Sequence, residues 1–252
     1  AFFLRTRMHS RSPWIPVVAV LHGVFLIFRG IHLKHPPLTS GYEILSLVAL
    51  SCTVVYYAGE LVSKDRRTGV FVFLAVFLLQ YTSSVFSQGE IVGGGRIEAG
   101  PEVAYAWQRT HVAAATFAYT ALAFAALHGT LYLIGRRNLK QHRFGLLLDR
   151  LPPLELLGKS SRYALLAGFV FMTVSIASGT IFFSQARSAH PGAAMDLKVA
   201  LKIVMGSAAW LIFGTAVVGG LIGKWSDARL SYIATGGFLV IVALFIASLA
   251  LS

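Results

Sequence analysis

WIPVVAVLHGVFLIFRGIHL, residues 14–33, runs into KHPPLTSGYE, residues 34–43, and a second apolar run follows to residue 62. Crossing a bilayer takes about 20 apolar residues. The first stretch supplies them with a single formal charge, Arg29. Two such runs on either side of a proline-bearing linker read as a pair of membrane helices joined at one face of the bilayer. Further stretches of the same kind cover 69–88, 107–134, 162–184, 198–222 and 230–251. The expected fold is therefore all-α, a polytopic transmembrane helical bundle of seven spans. The whole of 1–252 is read as a single transmembrane domain.

Composition supports the same class. Of 252 residues, 56% are hydrophobic and 13% charged, and mean hydropathy is +0.70. One water-soluble core cannot hide that much apolar surface. The lone Cys52 excludes an internal disulfide and any two-cysteine redox motif, and reads as a small core residue. AFFLRTR, residues 1–7, looks like the tail of an earlier helix meeting its basic flank. An upstream helix is therefore expected, giving eight spans in the full chain.

The net charge of +12 follows topology rather than a nucleic-acid partner. Arg5, Arg7 and Arg11 precede the first span, and Lys64, Arg66 and Arg67 follow the second. Arg136, Arg137, Lys140, Arg143, Arg150, Lys159 and Arg162 follow the fourth, and Lys224 and Arg229 the sixth. These are 15 of the 22 lysines and arginines, in alternate connections. The positive-inside rule makes that side cytoplasmic. The expected setting is a bacterial cytoplasmic membrane or its organellar equivalent, with Ala1 inside and Ser252 outside. RLPPLELLGKSSR, 150–162, is expected to form a short interfacial segment on the inner surface. The glycines of GEIVGGGRIEAGPEVAYAW, 89–107, lack the strand-to-helix context of a phosphate loop and read as linker. No convincing nucleophile–base–acid set is present, so hydrolytic chemistry is not expected.

Polar groups inside hydrocarbon are costly, and each raises a functional question. The third span turns polar in its outer half, at Gln80, Tyr81, Thr82, Ser83, Ser84, Ser87 and Gln88. The fifth does so at Thr173, Ser175, Ser178 and Thr180. Either these line a chamber opening outward, or the hydroxyls bond back to their own helices. Among the eight histidines, His9 and His142 lie in basic connections. His32, His35, His111 and His190 fall at or beyond the outer boundary, while His22 and His128 lie inside spans of opposite direction at similar depth. Imidazole is an axial ligand of haem iron, and bundle helices can hold the macrocycle. His22 and His128 are thus a candidate haem clamp, with Arg29 nearly on the face of His22 to meet a propionate. The plainer alternative is a histidine hydrogen-bonded to a neighbouring helix. His111 and His128 are 17 residues apart and do not share a helix face.

The motifs, in their order, resemble the cytochrome c assembly proteins of the CcsA/HemX kind. HPPLTSGYE resembles that family's histidine–proline–leucine–serine–asparagine–x–tyrosine–glutamate signature, through His35, Pro37, Leu38, Thr39, Tyr42 and Glu43. HVAAATFAYTALAFAALHGTLYL is similar to its histidine-led helix, with His111 leading and Tyr119 following. RLPPLE, ASGTIFF and MDLKVALKIVMGSAAWLIFG follow in the family's order and supply Asp196, Lys198 and Trp210. The resemblance implies a haem-handling membrane protein that binds b-type haem non-covalently through histidines and presents it at the outer face. His22, His111 and His128 are the candidate iron ligands. His35 would lie near His111 on a hinge formed by 34–43, and Arg29, Arg109, Lys198 and Lys202 would meet propionates. Apocytochrome c or other membrane subunits are the implied partners, beside haem and the lipid bilayer.

Three family features are missing. SQARSAHPGAAM, 184–195, has no tryptophan, VVGGLIG has no histidine at the inner end of the sixth span, and no external histidine follows that span. The expectation is an assembly or transport factor of the shorter HemX branch rather than a complete cytochrome c synthase. The alternatives are a haem b membrane anchor that transfers electrons within a larger complex, and a haem-free regulator or scaffold.

Overall fold

Without water to satisfy them, backbone N–H and C=O groups in hydrocarbon must bond within their own segment, which favours helices. The computed structural model describes residues 14–33, 41–63, 67–86, 102–142, 151–189 and 197–250. Among the described residues each expected span is one helix: α1 (Trp14–Leu33), α2 (Gly41–Ser63), α3 (Gly69–Phe86), α4 (Glu102–Lys140), α5 (Leu154–Ala189), α6 (Leu197–Leu221) and α7 (Asp227–Ala250). Six are long and apolar enough to cross a membrane. The exception is α3, whose apolar part is Gly69–Val85. Its 18 residues reach about 27 Å at 1.5 Å per residue, slightly under the ~30 Å hydrocarbon thickness.

The boundaries differ most where polar residues continue the helical pattern. With 39 and 36 residues, α4 and α5 are about 58 and 54 Å long. Arg136, Arg137 and Lys140 thereby belong to the end of α4. The separate interfacial segment expected at 150–162 is not formed, because from Leu154 onward that sequence is the start of α5. Pro152 and Pro153 stand just before the helix, where a missing N–H costs little. Glu155 suits the positive helix end, and Lys159 Nζ donates to its Oε1 at 2.7 Å, one turn on.

The chain divides into two compact units, residues 1–96 with 137–154, and 97–136 with 155–252. In the first unit Val48, Ala49, Cys52 and Tyr56 of α2 and Val72 of α3 are buried. Tyr56 meets Phe73 edge-on at 5.3 Å between ring centroids. Cys52 is a free, buried thiol, in keeping with its reading as a core residue. Helix α1 buries Ile15 and Leu26 and leaves most of its other large apolar side chains exposed. Lipid tails solvate such side chains as well as a protein core does.

The second unit packs α4, α5, α6 and α7 around Leu122, Ala125, Leu165, Phe213, Ala216 and Leu230. Small residues let these helices approach closely. A Cβ on Gly129 would stand 3.2 Å from Ser161 Oγ and from the Ser231 backbone, and Ser161 Oγ donates to the Ala125 carbonyl at 2.8 Å. Arg162 Nη2 reaches Asp227 Oδ1 at 2.6 Å. Gly158 provides the space, since a Cβ there would lie 2.8 Å from Asp227 Oδ2.

Candidate functional site

In the first unit the polar half of α3 bonds across helices. Ser46 Oγ donates to Gln80 Oε1 at 2.8 Å, and Gln80 Nε2 donates to Ser84 Oγ at 3.2 Å. Ser46 has a single hydroxyl proton and has spent it. Its contact of 2.9 Å with His22 Nε2 is therefore one in which imidazole donates. The His22 proton then sits on Nε2, and the ring's lone pair is on Nδ1. This is the plainer arrangement open to an intramembrane histidine, a hydrogen bond to the neighbouring helix.

Arg29 and Glu43 join the same helix pair. Arg29 Nε lies 3.3 Å from Glu43 Oε1, with the side chains 20% and 3% exposed. An ion pair this sheltered offsets two desolvation costs that neither group could bear alone. Glu43, in the first turn of α2 where a negative charge is favourable, is thus also the counter-ion of Arg29 on α1. Both residues line a cavity of about 330 Å³ shared with Phe25, Ser46, Gln80 and Ser83. Of the polar run that begins at Gln80, Gln80, Ser83 and Ser84 face this cavity, Tyr81 is exposed, and Ser87 and Gln88 lie outside the described residues.

The second unit centres on His111. Its Nδ1 lies 2.7 Å from the Ser175 carbonyl. A carbonyl only accepts, so the His111 proton is on Nδ1 and the lone pair on Nε2. The Ser175 hydroxyl returns a bond of 3.2 Å to the His111 carbonyl. One turn along α5, Gly179 presents bare backbone to the ring. A Cβ there would sit 2.6 Å from Nδ1 and 2.9 Å from Cε1. The small residues of ASGT are plain in the sequence, but which side chain they admit is not.

His128 turns back on its own helix. Its Nδ1 donates to the Phe124 carbonyl at 2.9 Å, and its ring stacks on Phe124 at 5.8 Å. Here too the lone pair is on Nε2. His111 and His128 are separated by about 26 Å along α4 and so serve different positions. The other polar residues of that stretch of α5 take the self-bonded alternative: Thr173, Ser178 and Thr180 donate to carbonyls four residues back, at 2.7 to 2.9 Å. Thr173 also accepts from Trp210 Nε1 at 2.9 Å, and Trp210 stacks on Phe169 at 5.5 Å.

The remaining candidates are less constrained. Arg109 and Lys202 are exposed. Lys198 lies in the first turn of α6, and its side chain lies outside the described residues, as do His35, His190 and Asp196. The pairing of His22 with His128 involves one residue of each unit. Among the described residues no three histidine, cysteine, aspartate or glutamate side chains converge on a point that could hold a metal ion.

No curated protein and no solved structure matches the chain. A family model described as "Cytochrome C assembly protein" matches residues 38–251. That range contains α2 to α7 and with them Arg109, His111, His128 and Lys198. Matched over most of its length by this model, and built of apolar membrane-crossing helices in the order its motifs led one to expect, the chain belongs to the cytochrome c assembly protein family.

Proposed function

We propose that this membrane protein handles haem during cytochrome c assembly, holding b-type haem non-covalently as cargo and presenting it at the outer face to apocytochrome c or to a partner subunit. The observation that carries the reading is the protonation pattern of the second unit. His111 and His128 each commit Nδ1–H to a backbone carbonyl, which leaves Nε2 as the lone-pair nitrogen. A neutral imidazole with its second nitrogen hydrogen-bonded is the form in which histidine binds iron. The donor set therefore fits haem, and His111, near the outer end of α4, is the foremost ligand.

His22 would have to leave Ser46, or use Nδ1, to bind iron. Its role in this reading is structural. Arg29 is already neutralised by Glu43. That favours Arg109, two residues before His111, and Lys198, at the start of α6, as the cations for propionates. His35 lies outside the described residues, and its part in this reading rests on the sequence resemblance alone. The orientation, Ala1 inside and Ser252 outside, rests on the distribution of lysine and arginine.

The test is an absorption spectrum of purified protein, oxidised and dithionite-reduced, with a pyridine haemochrome assay, alongside His22→Ala, His111→Ala and His128→Ala. A b-type spectrum that survives His22→Ala but is lost or displaced in His111→Ala supports the reading. A wild type that takes up no haem after reconstitution sinks it.

A further inference from the structure

We infer that Gly179 and Ser175 of α5 are positioning residues for His111, which hold it in the Nδ1–H form and direct Nε2 away from α5. The inference rests on the haem-handling reading for its purpose, though its geometry stands by itself. Residues four apart on a helix lie one above the other, so the side chain of residue 179 is the one that would overhang the Ser175 carbonyl. That carbonyl already accepts the helical N–H of Gly179, which leaves one lone pair for a second donor. It can take a further bond only from a group arriving over bare backbone.

Glycine supplies that opening. With any other residue, Cβ would stand 2.6 Å from His111 Nδ1, far inside contact distance, and the ring would have to leave the carbonyl. The Ser175 hydroxyl holds the α4 side of the contact by bonding the His111 carbonyl at 3.2 Å. The two ring nitrogens point in nearly opposite directions, so a proton fixed on the α5 side leaves the lone pair on the other.

The nature of the partner matters as well. A carboxylate on Nδ1–H would lend the ring negative charge and make it a stronger, more permanent ligand. A peptide carbonyl is neutral and lends less. His111 is thus mounted as a ligand of moderate strength, suited to haem that is held and then passed on.

The decisive measurement needs no haem. Nitrogen-15 NMR of histidine-labelled wild type, assigned by comparison with His111→Ala, is expected to find His111 protonated at Nδ1 and not at Nε2. Protonation at Nε2 overturns the inference. Gly179→Ala is expected to shift the His111 ring resonances. In reconstituted protein it should speed haem loss to excess apomyoglobin by roughly 10–100-fold, the usual cost of removing a partner behind a metal ligand. Gly206→Ala is the control, because a Cβ there meets nothing within 4 Å. If Gly179→Ala matches wild type in both readouts, the positioning role is wrong. Should Gly179→Ala fail to fold, the wild-type NMR result still decides the matter. The expected proton position in a protein that takes up no haem would keep the positioning role and reject the functional reading.

Discussion

Ser46 and Gln80 in the first unit, and Thr173, Ser178 and Thr180 in the second, belong to similarly polar stretches of apolar helices, yet they use their hydrogen bonds in opposite ways. In the first unit the bonds run between helices, from His22 on α1 through Ser46 on α2 to Gln80 and Ser84 on α3. Along the polar stretch of α5 in the second, three of four hydroxyls donate to their own helix, and the fourth, Ser175, donates across to the His111 carbonyl. Polar atoms thus bind the first unit together. In the second, small residues and apolar packing share that task with cross-helix bonds such as Ser161 Oγ to the Ala125 carbonyl and the Arg162–Asp227 pair.

That contrast can be broken in graded steps. Glu43→Ala should have the largest effect, because it takes the Glu43 counter-ion away from a sheltered Arg29. A loss of about 3–5 kcal/mol is expected, seen as loss of folded protein in a denaturant titration in detergent. Ser46→Ala comes next, since it strands His22 Nε2–H and Gln80 Oε1 together. About 1–3 kcal/mol is expected, along with altered His22 ring resonances. Asp227→Ala removes the corresponding ion pair of the second unit. There the side chains are 39% and 29% exposed, and the cost should fall to about 1 kcal/mol or less. Thr180→Val, which deletes only a bond to its own helix, should stay within about 0.5 kcal/mol. If Thr180→Val proved as costly as Ser46→Ala in the same titration, the distinction between the units would be void.

Much of this architecture was legible from residues alone, for identifiable reasons. The apolar runs placed all seven helices, because hydrocarbon leaves the backbone little choice but to bond within its own segment. Helix ends were less legible. The segment at 150–162 looked like a surface piece because its prolines and charges interrupt hydropathy, yet from Leu154 those charges continue α5 through the Glu155–Lys159 pair. Candidate histidines were visible as residues. Their availability as ligands was not, since it depends on which nitrogen carries the proton, and for His111 and His22 that is settled by partners distant in sequence. Ser175 is 64 positions from His111, and Ser46 is 24 from His22.

By itself the sequence determined the solvent, the helices and the family, since each depends on local composition or on motifs read along the chain. Tertiary structure decided that Glu43 pairs with Arg29 and that Gly179 bares the carbonyl which orients His111. It likewise decided that His22 spends its Nε2 proton on Ser46. A hydrogen bond of 3 Å or less is set by the rotation and approach of two helices, and hydropathy does not encode either one.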